Sequence, residues 1–370
     1  MAAEGANALP LAGGPARPRR RQLLQAGGVG ACLAVAPALL RAQSVPETAA
    51  GARLQGADRS QRLLDGARRE GQVNLYTSLT VDDMAVLNAA FERRHPGVKV
   101  RMWRASSDKV LQRVMAEARA GRHEVDVIET NALPLESLQR EKLLQPLRSP
   151  QLAQLIPGAV PAHGGWAASR LNVFVQAYNT QRVPAAELPT RLEDLLQPRW
   201  RGRLAIEGSD DDWFSAQVRQ RGEAQGLRLF RELVRSNGLS VRKGHTLLTQ
   251  MEASGEVDYA LTVYNFTAEQ LRLKGAPIAW HALPPVVARS NGVALPLRAA
   301  HPHAAVLYCD FMLGDEGQKL LGERDFVPAS RNVASPLAQL PITVIDAGQL
   351  LADGDKWARL YDEIVVRQIN

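Results

Sequence analysis

The chain has 370 residues, 45% of them apolar and 22% charged, with a formal charge of +7. That length holds two domains of ordinary size, and the composition is that of a soluble globular protein, which excludes a disordered chain or one built into a membrane. Much of the positive charge lies at the N-terminus: residues 1–42 carry five Arg and one Glu, leaving +3 for the rest, too little to argue for nucleic acid.

The first segment has the order of an export signal. Arg17, Arg19, Arg20 and Arg21 precede an apolar, small-residue run from Leu23 to Leu40, and Ala42 offers a cleavage point. Arg20-Arg21-Gln22-Leu23-Leu24 resembles a twin-arginine signal. Residues 1–42 are therefore expected to direct the chain to the periplasm and to be removed, with no stable membrane insertion afterwards. Of the two cysteines, Cys32 lies in this signal and Cys309 is alone in the mature part, so no intrachain disulfide forms there and Cys309 is expected in the core. Val29-Gly30-Ala31-Cys32 faintly resembles a lipobox, but apolar sequence continues past Cys32, against cleavage at that point.

From Val73 the pattern alternates. Val73–Thr77 is a short apolar strand, and Thr80 with Asp83 has capping spacing before a helix carrying Val86, Leu87, Ala90 and Phe91 on one face. Pro96-Gly97 stops that helix. Val98, Val100 and Met102 alternate with polar neighbours as a strand. Ser106 or Ser107 opens a second helix, and Val125–Glu129 is a third strand. Strand, helix, strand, helix, strand at these lengths predicts a parallel sheet covered by helices. The proline-rich stretch from Pro146 to Gly165 is expected to cross between lobes.

A second α/β unit follows. An extended run covers Trp166–Tyr178, a strand Leu204–Glu207, helices about 211–220 and 225–237, a helix Thr246–Ala253 and a strand Val257–Val263. Strands at 279–283 and 293–296 and helices at 302–313 and 316–321 then return toward the first unit, and a last helix is expected at 356–366. The predicted organisation is a discontinuous first lobe, 60–165 with 280–335, a second lobe, 166–279, and a C-terminal helical tail, 336–370. Small-ligand sites concentrate in clefts between such lobes.

The strand-to-helix corners hold the candidate binding groups. Ser78 follows the first strand, Ser106 and Ser107 the second, and Thr130 the third, all at the carboxyl edge of one sheet where open α/β sheets bind ligands. Helix N-termini there present free N–H groups and partial positive charge, and the hydroxyls add donors suited to carboxylate or phosphate oxygens. In the second unit, Arg242-Lys243-Gly244-His245-Thr246 is a basic loop whose Thr246 opens a helix, and Tyr264 ends a strand where its ring or hydroxyl can meet a ligand. Asp210-Asp211-Asp212 lacks the alternate spacing of a calcium loop and is expected to cap a helix, with Trp213 facing the cleft. His301-Pro302-His303 likewise reads as a helix start rather than a metal site. The nucleophile, zinc-protease and phosphate-loop motifs are all missing, so neither an enzyme nor a bound cofactor is expected.

Several stretches together resemble a known family. They are Val73-Asn74-Leu75-Tyr76-Thr77-Ser78-Leu79, Phe91 to Val100, Asp126-Val127-Ile128-Glu129, Ala177-Tyr178-Asn179-Thr180, Pro198-Arg199-Trp200-Arg201-Gly202, Asn291-Gly292-Val293-Ala294 and His301 to Ala305. In that order they are similar to the extracellular solute-binding proteins of ABC importers, in the iron(III)-type branch. The resemblance implies the two-lobed, type II-like periplasmic binding-protein fold, each lobe a sheet flanked by helices, with a hinge of crossing strands. It also implies a monomer that closes on a solute and docks on an ABC permease with a cytoplasmic ATPase. Ferric-ion binders of that family resemble one another in two adjacent tyrosines after the second-lobe strand, and several use a His after the first strand. Here those places read Tyr264-Asn265-Phe266 and Ser78. Hard ferric ion wants several anionic oxygen ligands. The expected ligand is therefore a small organic anion bound by Ser78, Ser106, Ser107, Thr130, Trp213, Thr246 and Tyr264. Ferric iron held by Tyr264 with a synergistic anion, a periplasmic enzyme and a ligand sensor stand as the alternatives.

Overall fold

A computed structural model of the chain describes residue 54 and residues 56–369; the expected export signal and Cys32 lie outside the described residues. The first helix, α1 (Arg59–Glu70), ends at Gly71, whose φ of 73° turns the chain into β1 (Gln72–Thr77). Then come α2 (Val81–Arg94), β2 (Lys99–Arg104), α3 (Ser107–Arg119), β3 (Val127–Asn131) and α4 (Ala132–Arg140). β1 pairs in parallel with both β2 and β3, the arrangement that the strand–helix alternation predicts. α2 begins where the spacing places it: the Thr80 side chain accepts a hydrogen bond from the Asp83 backbone N–H at 3.2 Å.

The proline-rich passage after β4 (Leu144–Gln145) is a correction. It stays with the first lobe, tied by a Leu155–Ser330 bridge and by Ile156 N–H donating to the Ala329 carbonyl at 2.8 Å. The crossing is made by β5 (Trp166–Asn179), a 14-residue strand buried along nearly its whole length. This strand is the extended run expected at Trp166–Tyr178; what the sequence did not show is that it, and not the proline-rich stretch, makes the crossing.

The second lobe contains β6 (Leu204–Glu207), α5 (Asp211–Arg221), α6 (Glu223–Asn237), β7 (Ser240–Arg242), α7 (His245–Ala253), β8 (Tyr259–Tyr264), α8 (Asn265–Leu273) and β9 (Ile278–His281). β9 straddles the boundary expected near 279 and pairs wholly with the far half of β5, Gln176–Asn179. β10 (Val286–Pro296) crosses back, followed by α9 (Pro302–Leu313), α10 (Asp315–Glu323), β11 (Val327–Pro328), β12 (Ile342–Val344) and α11 (Ala347–Tyr361). The main sheet path is β2-β1-β3-β10-β5-β8-β6-β7. β5 pairs with β10 over residues 166–173 and with β8 and β9 over 174–179, so these two antiparallel strands join the lobes. β10 lies very close to β5 at Gly292, where a Cβ would sit 2.4 Å from the Ala167 carbonyl oxygen.

The C-terminal helix also differs from expectation. It begins at Ala347 and is kinked at Asp353, whose φ of −126° and ψ of 16° are non-helical, before a single π turn at Asp362–Val366. The Asp353-Gly354 pair makes the first half invisible to a reading that starts helices after a Gly break. α11 packs against α4 of the first lobe and α5 of the second. Lys356 pairs with Glu223 at 2.6 Å, Arg219 pairs with Asp353, and the Tyr361 hydroxyl donates to the Glu207 carbonyl. Cys309 is fully buried, as expected. His301 and His303 stand at the start of α9, as expected, tied by Asp126 and Glu70 at 2.7 Å each; His301 is its N-cap residue but makes no side-chain capping bond.

Candidate functional site

Between the lobes lies a cavity of about 680 Å³, within the size range of small-molecule sites. Its floor is the β5–β10 crossing. The register pairs Arg289 with Asn172 and Asn291 with Arg170. Side chains two apart on a strand share a face, so the four residues form a chequered patch with arginines on one diagonal and asparagines on the other. All four line the cavity.

Each arginine is anchored from a different lobe. Arg170, 1% exposed, donates through Nη1 to Glu129 of β3 at 2.5 Å, and Glu129 also accepts from the Thr77 hydroxyl. Arg289 donates through Nη2 to Asp210 at 2.9 Å and to Asp212 at 2.5 Å. Its guanidinium lies 4.8 Å from the ring centre of Phe174 and 5.7 Å from that of Tyr264. Burial alone would push the Asp210 carboxyl up, but His245 and Arg289 outweigh it and hold Asp210 below its ordinary value. Asp210 and Asp212 thus hold an arginine, where the sequence pattern led us to expect capping; Asp210 stands at the N-cap of α5 without a side-chain capping bond.

The basic loop is pinned by Glu207, whose carboxylate accepts from Ser209 N–H at 2.6 Å and from Gly244 N–H at 2.9 Å. Gly244 takes a φ of +98° there, a conformation that disfavours any side chain. Lys243, His245 and Thr246 line the cavity as a result, while Arg242 does not. His245 stacks on Tyr264 with ring centres 4.1 Å apart and planes at 17°. Burial pushes the Tyr264 phenol above its ordinary range; Arg289 opposes this, and Asp210, Asp212 and Glu207 add to it. Burial, then the neighbouring Asp212, raises the Asp211 carboxyl to about 7.

On the first lobe, Ser78, Ser106, Ser107 and Asn131 line the cavity. Ser106 is the N-cap of α3 and Asn131 that of α4, and neither spends its side chain on capping. The Asn131 carbonyl oxygen instead accepts from the Asn291 amide at 2.8 Å. Of the seven residues expected from sequence, the structure gathers Ser78, Ser106, Ser107, Thr246 and Tyr264 on the cavity wall. Thr130 is fully buried behind them, donating to the Ser78 hydroxyl at 3.2 Å. Trp213 is a correction: it is 1% exposed and turns into the core edge-on to Phe230 at 5.8 Å. Sequence reasoning missed Arg170, Asn172, Arg289 and Asn291. Same-face spacing, 170 with 172 and 289 with 291, is the signal that would have found them.

Residues 127–343 match the sequence profile of the family described as bacterial extracellular solute-binding protein. The chain belongs to that family. A solute-binding protein of this kind is the periplasmic capture component of an ABC transporter. Among its relatives, the Fe(3+)-binding periplasmic protein of Serratia marcescens is 25% identical over 273 residues, covering 69% of this chain and 79% of that one. The iron uptake protein A1 of Synechocystis sp. is 24% identical over 299 residues, covering 74% and 81%. Two solved structures show the same fold. Iron-bound HitA of Pseudomonas aeruginosa has a TM-score of 0.69 at 22% identity, covering 78% of this chain and 99% of its own. AfuA of Actinobacillus pleuropneumoniae, with fructose-6-phosphate bound, has a TM-score of 0.70 at 19% identity, covering 80% and 99%. Among the described residues no helix of this solute-binding protein is long and apolar enough to cross a membrane.

Proposed function

We propose that the protein captures a small organic anion in the interlobe cleft and delivers it unchanged to an ABC permease. The observation that carries this reading is the pair of hinge arginines. Each has one nitrogen locked by a buried carboxylate and lines the cleft. Locking costs the ligand no side-chain entropy on binding, and charge-assisted bonds to a held guanidinium are among the strongest available. First-lobe hydroxyls and helix N-termini complete the anion site. The closed form touches the ligand from both lobes, so binding shifts the protein toward closure. Export through residues 1–42, by a twin-arginine route, belongs to the same reading.

Ferric iron is the second reading, favoured by one cluster: ligand atoms of Glu207, Asp210 and His245 lie within 4.8 Å of one another beside Tyr264. Those carboxylates are already spent on Ser209, Gly244 and Arg289, and burial disfavours the phenolate that ferric ion needs. The test is to add ferric nitrilotriacetate, and separately a panel of organic anions, to the mature protein. The expected result is no visible phenolate-to-iron absorption and a concentration-dependent rise in Tm with at least one organic anion. A stoichiometric coloured complex without such a rise overturns the proposal.

A further inference from the structure

The two guanidiniums of the hinge are pulled toward opposite lobes. Arg170 is drawn by Glu129 on β3 of the first lobe, and its guanidinium lies 5.0 Å from the ring centre of Phe326. Arg289 is drawn by Asp210 and Asp212 at the start of α5 in the second lobe. They stand at diagonal positions of the β5–β10 register, neighbours roughly 7–8 Å apart with the Cβ atoms somewhat closer, and their side chains are anchored in different directions. With the guanidiniums drawn to opposite lobes, each can meet an acidic group of its own and keep its anchor.

Each arginine nevertheless has unused donors. Arg170 makes its one hydrogen bond through Nη1, so Nη2 is unspent and Nε is buried without a partner. Arg289 makes its bonds through Nη2, so Nη1 is unspent and Nε is again buried without a partner. Between them, Asn172 and Asn291, 4% and 1% exposed, each hold a side-chain carbonyl oxygen buried without a partner. Buried polar groups left unpaired are costly. Here four such groups sit together on the floor of one cavity.

Resting on the reading that the ligand is an organic anion, we infer that it is a two-headed acid: a short carbon chain with an acidic group at each end, one head on Arg170 and the other on Arg289. The asparagines then meet hydroxyl or amine hydrogens on the chain between. This geometry makes the ligand a tie between the lobes. The first head is bound on the first-lobe side of the hinge and the second on the second-lobe side, so only a two-headed ligand draws on both anchors.

The test is a calorimetric titration of the mature protein at pH 7.5 with malonate, succinate, glutarate, adipate and 3-phosphoglycerate. Propionate, butyrate, valerate, hexanoate and glycerol 3-phosphate serve, in the same order, as single-headed counterparts. The inference predicts an affinity maximum within the two-headed set, and a loss of about 10- to 100-fold when the matching single-headed acid is used. Arg289→Lys keeps a positive charge beside Asp210 and Asp212 but removes the second nitrogen, so it should narrow that ratio to below about threefold. Equal binding of one- and two-headed anions overturns the inference while leaving the organic-anion reading intact. Binding of none of these anions overturns both.

Discussion

The first-lobe wall of the cleft and the second-lobe wall are built from the same kind of corner, a strand ending at a helix N-terminus, yet they carry different chemistry. The first presents hydroxyls and unspent caps: Ser78, Ser106, Ser107 and Asn131. The second presents a charged network, in which Asp210 and Asp212 hold Arg289, Asp210 also meets His245, and Glu207 pins the loop at Gly244. Dipoles need no counter-ion and are ready on a rigid sheet edge. Charges in a buried wall must be paired before the ligand arrives, or their desolvation is uncompensated. Of the carboxylates on the cleft wall, Glu207 is spent on the loop at Gly244 and Asp212 on Arg289, while Asp211 is left to titrate.

The sharpest way to separate wall from core is Trp213. If it belongs to the core, Trp213→Ala costs about 3–5 kcal/mol in urea unfolding, while Trp213→Phe leaves anion affinity within about twofold. A large affinity loss in Trp213→Phe would return it to the cleft. Next comes a buried charge pair of the first lobe, Arg170 with Glu129. Glu129→Gln leaves Arg170 uncompensated and should destabilise by about 3 kcal/mol in the same assay.

The walls themselves differ in salt response. Lys243→Met should weaken binding of the best organic anion by roughly tenfold at low ionic strength and much less in 0.5 M salt. Ser106→Ala should weaken it only about two- to fivefold, with the salt dependence unchanged. Identical salt slopes for the two variants would erase the distinction. The smallest effect is in pH. Asp211 titrates near 7 in the folded protein because of burial and Asp212, above its ordinary value. The folded state therefore holds more protons than the unfolded one between about pH 4 and 7, and the Asp211 contribution to stability falls across that window and is flat above it. Asp211→Asn should stabilise by an amount that grows from pH 4 to pH 7 and then levels off. Anion affinity should tighten as pH drops from 8 to 6 in the natural protein and not in the variant.

Much of the fold was legible because each corner carried its own local chemistry. Thr80 with Asp83, Pro96-Gly97 and the Val98-Val100-Met102 alternation mark elements without help from the rest of the chain. The five wall residues anticipated at such corners followed from the same logic. The hinge floor was not legible. The alternation of Leu171, Val173 and Val175 against Asn172, Phe174 and Gln176 marks β5 as a strand, but with both faces buried nothing in it says which face meets a cleft, so Arg170 and Asn172 gave no sign of lining one. Ser290-Asn291-Gly292 has the composition of a turn but lies inside β10, where Gly292 serves close approach to Ala167. Which carboxylate holds which arginine is a long-range fact: Glu129 and Arg170 are 41 residues apart, Asp212 and Arg289 77. Trp213 was misplaced for a related reason, since a helix N-terminus beside a cleft shows one face to the ligand and another to the core, and only packing against Phe230 decides between them.

The most direct test of the central claim is native mass spectrometry of the mature protein as isolated from the periplasm, with Arg289→Lys handled in parallel. The account predicts a non-covalent adduct whose mass is that of an organic acid, present on the natural protein and depleted on the variant. An adduct at the mass of iron, equally retained by both proteins, would contradict it.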